Sequence, residues 1–266
     1  MNDIVSIITE SKKILARDSS KNMEAIPSTE CSFAIPEHVR FLHLFAEKNP
    51  IYYKSYPATV SGVQVIVYEA DFNRYWLNSI LHKGSKAPFS PTWVASAYIA
   101  ASVARSLGFQ QVVDVGSGDG RIAYCARILG LDAYSIELDK MLVDLQQMIS
   151  RSTGVDFTSV CADAMSVDYS KLNLTRPIFF IGGLAQMGGD ALANSIIQQI
   201  SGVLPNAGMA LVGTYSEKYS PDPLNLGGWG TIINSHEMNV LKTVVLPTAW
   251  TLHERSDAPY IYAKLG

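Results

Sequence analysis

The sequence has little that would build a covalent or metal-held scaffold. Its three cysteines, Cys31, Cys125 and Cys161, lie far apart with no C-x-x-C spacing. An odd, scattered set suits small buried apolar side chains in a reducing compartment better than a disulfide framework. The five histidines form no H-E-x-x-H pattern, and the nearest pair is His38 and His43, so no metal site is expected. An excess of charge is missing too: 21 Lys+Arg stand against 24 Asp+Glu, a net charge of -3. With neither a basic arm nor an acidic tail, bulk electrostatics argue against a nucleic-acid partner. Long apolar runs are also absent. The longest uncharged stretch, Ala191–Ser216, is broken by Asn194, Gln198, Gln199, Pro205 and Asn206, which argues against a membrane span. Asp3 and Glu10 stand where a signal peptide needs a cationic and then an apolar segment. We therefore expect a cytoplasmic protein without a membrane partner; the sequence is silent on oligomeric state.

What is present is enough apolar material for a substantial core. The 266 residues are 48% hydrophobic and 17% charged, which fits one large domain or one domain with an accessory region. The texture changes near residue 90, giving an N-terminal accessory region over 1–90 and a main domain over 91–266. In the first part, residues 3–16 and Pro36–Lys48 read as helices, and Asp71–His82 as a short aromatic helix. Ala58–Val60 and Val63–Tyr68 flank Ser61-Gly62 and predict a hairpin. This region is too long for a simple connection, and we expect it either to pack over the carboxyl ends of the main sheet and help form the acceptor pocket or to serve as a structural cover for the sheet.

From Ser90 the pattern is regular. A helix is predicted over Thr92–Leu107, then a β-branched strand over Gln111–Val115, a helix over Ile122–Leu129, a strand over Ala133–Ile136, a helix over Lys140–Ser150 and a strand over Asp156–Cys161. Further strands are expected at Pro177–Ile181, Met209–Thr214, Leu241–Pro247 and Pro259–Lys264, with a helix over Asp190–Val203. Strand-helix alternation implies right-handed crossovers and a mostly parallel α/β sheet with helices on both faces. The last two strands lack an intervening helix and should pair antiparallel.

The first of these strands runs straight into V-V-D-V-G-S-G-D-G-R, Val112–Arg121. Glycines there allow a sharp turn and close approach of a ligand to the backbone, and free N–H groups at a helix start receive its polar end. The spacing is D-x-G-x-G-x-G, with Asp114, Gly116, Gly118 and Gly120; a dinucleotide-binding G-x-G-x-x-G would need glycine where Arg121 stands. Glu137 follows Gly116 by 21 residues, at the tip of the second strand. A carboxylate so placed can accept bonds from both hydroxyls of a ribose.

With these residues, Ser90–Gly266 resembles the class I, seven-stranded S-adenosylmethionine-dependent methyltransferases, which have a Rossmann-like fold. The resemblance implies that Asp114, Gly116, Ser117 and Gly118 cradle the methionine part of S-adenosylmethionine and that Glu137 holds the ribose. It implies further that Leu138 covers a face of adenine and that Asp163, in C-A-D-A, receives its amino group, with Ala164 beside it. A narrower resemblance is to archaeal protein-lysine methyltransferases, through S-P-T-W (Ser90–Trp93) and D-V-G-S-G-D-G-R-I (Asp114–Ile122). It makes Pro91 and Thr92 candidates for closing over the methionine end. An ordinary helix start explains these two residues as well.

The acceptor is less legible. After the fourth parallel strand the chain reads I-G-G-L-A-Q-M-G-G, Ile181–Gly189, without the Asn- or Asp-Pro-Pro-aromatic tetrapeptide common in enzymes that methylate base amino groups. These glycines either leave room for an acceptor or form a loop. Phe89, Trp93, Tyr215 and Trp229 either line an amine pocket by cation–π contact or pack in the core. The reading is methyl transfer to an amine, with protein lysine ahead of a small molecule, and no catalytic residue is assigned. An aminopropyltransferase of the polyamine-synthase type and a catalytically silent cofactor-binding module are the alternatives; the first lacks its usual acids, because Phe179–Gly183 carries none.

Overall fold

The computed structural model describes residues 2–15, 22–28, 35–71, 75, 89–213, 228–247 and 258–266. The first part holds helix α1 (Asn2–Leu15), strand β1 (Asn22–Pro27), helix α2 (Pro36–Lys48), and a hairpin of β2 (Tyr52–Val60) and β3 (Val63–Ala70). Ser61 and Gly62 both have positive φ, as a two-residue turn of the mirror-image type requires. The three strands form an antiparallel sheet in the order β1-β3-β2. Strand β1 escapes the sequence reading because its pattern is broken by Glu24, a buried carboxylate in an otherwise apolar strand. Of the expected helix Asp71–His82 only Asp71 and Tyr75 are among the described residues, and Tyr75 is helical. Cys31 and Tyr215 lie outside the described residues.

The main sheet follows. Helix α3 (Val94–Ser106) leads to β4 (Gln111–Val115), α4 (Arg121–Ile128), β5 (Asp132–Glu137), α5 (Lys140–Thr153), β6 (Thr158–Cys161), β7 (Pro177–Ile181), α6 (Gly189–Ile200) and β8 (Gly208–Val212). The short helix α7 (Gly230–Ser235), β9 (Asn239–Leu246) and β10 (Ala258–Lys264) complete it. The seven strands run β6-β5-β4-β7-β8-β10-β9, parallel except for β10, which is antiparallel to both β8 and β9. Strands β4 and β7 are buried at every position, as a parallel sheet covered on both faces demands.

The pleat sorts these strands into two cores. Val112, Ile178, Phe180, Ala210, Tyr260 and Tyr262 face one side, with α3, α4 and α5. Val113, Val115, Phe179, Ile181, Met209 and Leu211 face the other, with α6 and α7. The N-terminal part joins the first core: Ile8, Ile26, Leu42 and Phe45 belong to the same continuous cluster as Val94, Ala101, Tyr124 and Leu145. Its described residues thus stand mainly against helices α3–α5, on one face of the sheet, as the structural cover would, rather than over the strand ends. Phe89 and Asn49 are where they reach the edge, as the site geometry shows.

Candidate functional site

The carboxyl ends of β4, β5, β6 and β7 share one edge of the sheet. From β4 the chain builds outward to β5 and β6 on one side and to β7 and β8 on the other, so a topological switch point falls between β4 and β7. Open α/β sheets bind ligands in that crevice. The loop after β4 lies there, with Gly116, Gly118 and Gly120 at φ of 66°, 57° and 77°. Side chains rarely adopt this conformation, which accounts for the repeated glycine.

The loop is pinned from two sides. On the α5 side, Gln146 donates from Nε2 to the Gly118 carbonyl at 2.7 Å and to Ser117 Oγ at 2.9 Å. Ser135 Oγ donates to Gln146 Oε1 at 2.5 Å, which leaves the 2.7 Å contact between the hydroxyls of Ser117 and Ser135 to be donated by Ser117. The hydroxyl of Ser117 is therefore engaged inside this ring, while its N–H donates to the Ile136 carbonyl at 3.3 Å and its carbonyl accepts from Gly120 N–H at 2.9 Å. On the other side, Arg121 grips Asp119 with two bonds, Nε to Oδ1 at 2.8 Å and Nη2 to Oδ2 at 2.5 Å, and its Nη1 donates to the Thr92 carbonyl. Asn49 Nδ2 donates to Asp119 Oδ2 at 2.9 Å. Sequence reasoning missed Gln146 and Asn49, since a polar residue far along the chain carries no local signal of such a contact.

Glu137 closes the crevice. Its Oε2 accepts from Gly118 N–H at 2.8 Å and its Oε1 from Asp139 N–H at 3.0 Å. The loop and the tip of β5 are thereby tied together. Burial raises the Glu137 pKa, against these backbone donors, although the residue keeps an accessible side. Leu138 beside it is also partly exposed. Asp114, within β4 and 2% exposed, accepts from Ala123 N–H at 3.4 Å. Burial pushes its carboxyl up to about 8, opposed by that N–H bond and aided by the nearby Asp119 and Glu137.

The remaining candidates divide. Asp163 is exposed, caps the short 3-10 turn Ala164–Ser166 by accepting from Met165 N–H at 2.9 Å, and follows β6, whose end is bound to β5 through Ala162 N–H and the Glu137 carbonyl at 3.0 Å. Ala164 accepts from Tyr169 Oη at 2.8 Å through its carbonyl. Pro91 is buried, and Thr92 Oγ1 accepts from Tyr260 Oη at 3.1 Å, so S-P-T-W is tied to β10 as well as to Arg121. Trp93 and Trp229 are buried at 1% and 0% exposure, and Trp229 Nε1 donates to the Val212 carbonyl at 3.0 Å. They serve the core and do not form an amine cage. Phe89 lies over Gly118, where a Cβ would come within 2.6 Å of its ring. The glycines after β7 are also explained by packing. A Cβ on Gly182 would sit 2.7 Å from the Gly116 carbonyl oxygen, and one on Gly189 would sit 2.4 Å from that of Gly183.

No protein-family model matches the sequence, and no curated protein matches it. Solved structures do. P. horikoshii TYW2 in complex with MeSAdo matches with a TM-score of 0.51 at 15% identity, over 79% of this chain and 71% of that one. A candidate RNA methyltransferase from Pyrococcus horikoshii matches with a TM-score of 0.50 at 15% identity, over 73% of this chain and 97% of that one. The fold is that of the class I methyltransferases. Residues 91–266 make up about two thirds of the chain, so a methyltransferase-fold match over 79% takes in part of the first 90 residues. Among the described residues no group of three or more side chains could hold a metal, and no helix is long and apolar enough to cross a membrane.

Proposed function

We propose that the chain is an S-adenosylmethionine-dependent methyltransferase whose acceptor is an amine, the lysine side chain of a protein first and a small-molecule amine second. The observation that carries the cofactor reading is Glu137 at the tip of β5, bonded to the N–H of Gly118 in the loop after the neighbouring strand β4. Each carboxylate oxygen has a second lone pair and can take one ribose hydroxyl without losing its backbone partner. The fit continues at Gly116, where a Cβ would meet no atom of the described residues within 4 Å. Asp114, Gly116, Ser117 and Gly118 would hold the methionine end, with Pro91 and Thr92 behind it. Leu138 would flank adenine, and Asp163 would receive its amino group, with Ala164 beside it.

When bound, the cofactor supplies a methyl group already activated by its sulfonium. The chain's own residues then have to orient the acceptor in line and exclude water, a contribution worth up to about 7–11 kcal/mol in the best intramolecular models. A neutral amine needs no general base at the moment of attack, in keeping with a site where none is assigned. In this reading, residues 91–266 hold the cofactor and 1–90 are an accessory region, a division of role within a shared core.

Support for the amine comes from the missing base-methylating tetrapeptide and from the lysine-enzyme-like loop. The aromatic residues add nothing, since Trp93 and Trp229 are buried. The argument against nucleic acid rests on charge balance and on the absence of that tetrapeptide. One structural neighbour is described as acting on RNA, which makes RNA the competing acceptor. Transfer of labelled methyl into cell extract, followed by protease or nuclease digestion, tests both. Protease-sensitive label is expected, with a rate rising from pH 7 toward the ordinary lysine pKa of about 10.4. Label only in nuclease-sensitive material or in small metabolites overturns the lysine assignment. Activity with decarboxylated cofactor alone would point to aminopropyl transfer.

A further inference from the structure

Four residues from three elements of the N-terminal region gather around Arg121, the residue that ends the glycine loop and begins α4. Asn49, after α2, donates to Asp119, the partner of Arg121. Glu24 of β1 accepts from Val94 N–H at 2.6 Å, at the start of α3 and two residues from the carbonyl of Thr92 that Arg121 also holds. Tyr52 of β2 donates to Glu24, and the ring of Phe45 from α2 lies 5.6 Å from the Arg121 guanidinium carbon. Glu24, Asn49, Asp119 and Arg121 are all 0–2% exposed. Burial opposes the charge of Arg121, but Asp119, Tyr52 and Glu24 outweigh it, and its pKa is raised.

A buried ion pair adds little stability over apolar packing, because desolvation offsets the attraction. What bidentate, charge-assisted bonds do supply is geometry. The loop needs it, since its glycines give the backbone no stiffness of their own. Gln146 fixes Ser117 and Gly118 from one side, and the Asp119–Arg121 pair fixes the other.

We propose that Asn49 and Glu24 are positioning residues for the cofactor loop, acting through Asp119 and Arg121 to hold Gly116–Gly120 where it receives the amino-acid end of the cofactor. The inference rests on the reading of this loop as the seat of S-adenosylmethionine. It gives the accessory region a role in cofactor affinity, from behind the loop.

The test is calorimetry on the full chain with two ligands, S-adenosylhomocysteine and 5′-methylthioadenosine, the second lacking the amino-acid end. Asn49→Ala should weaken S-adenosylhomocysteine about tenfold and methylthioadenosine less than twofold, with unchanged circular dichroism. A loosened fold would instead weaken both ligands alike. Glu24→Gln keeps an acceptor for Tyr52 but loses the one for Val94 N–H together with the charge near Arg121, and should show the same selective loss if Asn49→Ala does not fold. Equal losses on both ligands, or none, overturn the positioning role. Failure of both variants to fold also overturns it, since the contacts would then serve the fold itself. If the unmodified chain binds neither ligand, the proposed function falls and this inference with it; binding of both that the variants leave unchanged removes the inference alone.

Discussion

Two glycine-rich segments meet at the carboxyl edge of the sheet, Gly116–Gly120 after β4 and Gly182–Gly189 after β7, and they use glycine for opposite ends. In the first, three glycines adopt positive φ; a Cβ on Gly116 would meet no described atom within 4 Å, whereas one on Gly118 would meet the Phe89 ring at 2.6 Å and one on Gly120 the Gln146 side chain at 2.9 Å. In the second, Gly182 and Gly189 have no room: their missing Cβ atoms would fall on the backbone oxygens of Gly116 and Gly183. At Gly116 the first segment leaves its backbone uncovered by described atoms, although Gly118 and Gly120 are covered by the side chains of Phe89 and Gln146; the second segment lets two backbones touch. Indeed the second sets the floor of the first, because Gly182 donates its N–H to the Val115 carbonyl at 3.0 Å. Counting glycines does not separate these roles; the atoms opposite each Cβ do.

The sharpest way to break this comparison is to add that Cβ. Gly189→Ala should cost about 3 kcal/mol or more, because the clash is with backbone and cannot be relieved by a rotamer change. Gly116→Ala meets nothing and should cost only about 1 kcal/mol of stability for its left-handed φ, while impairing S-adenosylhomocysteine binding. Urea melts with calorimetry on each variant decide it. Equal destabilisation by the two substitutions would mean that the segments do not differ as described.

The buried acids around the first loop predict a pH effect. Asp114 has its carboxyl pushed to about 8 and Glu24 to about 7, burial being the largest cause in each. A folded-state pKa above the unfolded value means that the native state holds protons the unfolded chain has released. Stability should therefore fall as pH rises from about 4 to about 8, by at most about 1.4 kcal/mol per pH unit for each group. Asp114→Asn keeps an acceptor for Ala123 N–H and should flatten the upper part of that slope, leaving the share of Glu24 and of Glu137, which burial also raises. Arg121, the cation facing these acids, stays charged throughout. Denaturation midpoints from pH 5 to 8 measure this, and a parallel slope in the variant would remove Asp114 as its source.

How far the sequence foretells these features differs between the regions. Gln111–Val115, Pro177–Ile181 and Pro36–Lys48 form at the expected bounds, because buried β-branched runs and a proline-started amphipathic helix are local signals. The Rossmann-like α/β fold and the glycine loop are legible for the same reason. Strand β1 is not, since Glu24 reads as a surface residue until Tyr52 and the N–H of Val94 are seen around it. Helix α7 is missed because six residues are too few to show a period. In the site, the loop and Glu137 announce themselves by spacing, whereas Gln146 and Asn49 act across 28 and 70 residues of chain. The glycines after β7 could be read either way until their neighbours were known.

At the open loop itself, Glu137 should matter more for binding than for stability. In the proposed pose Glu137→Ala would remove both acceptors of the ribose hydroxyls and should weaken S-adenosylhomocysteine about tenfold or more, equivalent to about 1.4 kcal/mol. It also leaves the N–H groups of Gly118 and Asp139 without this acceptor, so a modest loss of stability should accompany it. Unchanged affinity in calorimetry would remove the ribose assignment and leave Glu137 as a brace between β5 and the loop.

The smallest effect belongs to Asp163, the exposed member of the set. Its carboxylate already accepts from Met165 N–H, and asparagine can do the same, so Asp163→Asn should leave the 3-10 turn and the melting temperature as they are. What changes is the charge offered to an adenine amino group. A hydrogen bond at a solvated position is worth only about 0.5–1 kcal/mol, or two- to fivefold in affinity. Inosine-containing S-adenosylhomocysteine, in which a carbonyl replaces the amino group, sharpens the measurement. The native chain should discriminate against it by carboxylate–carbonyl repulsion, and the asparagine variant, able to donate as well as accept, should lose much of that preference. If both proteins discriminate alike, Asp163 only caps its turn, and adenine is recognised elsewhere along the edge.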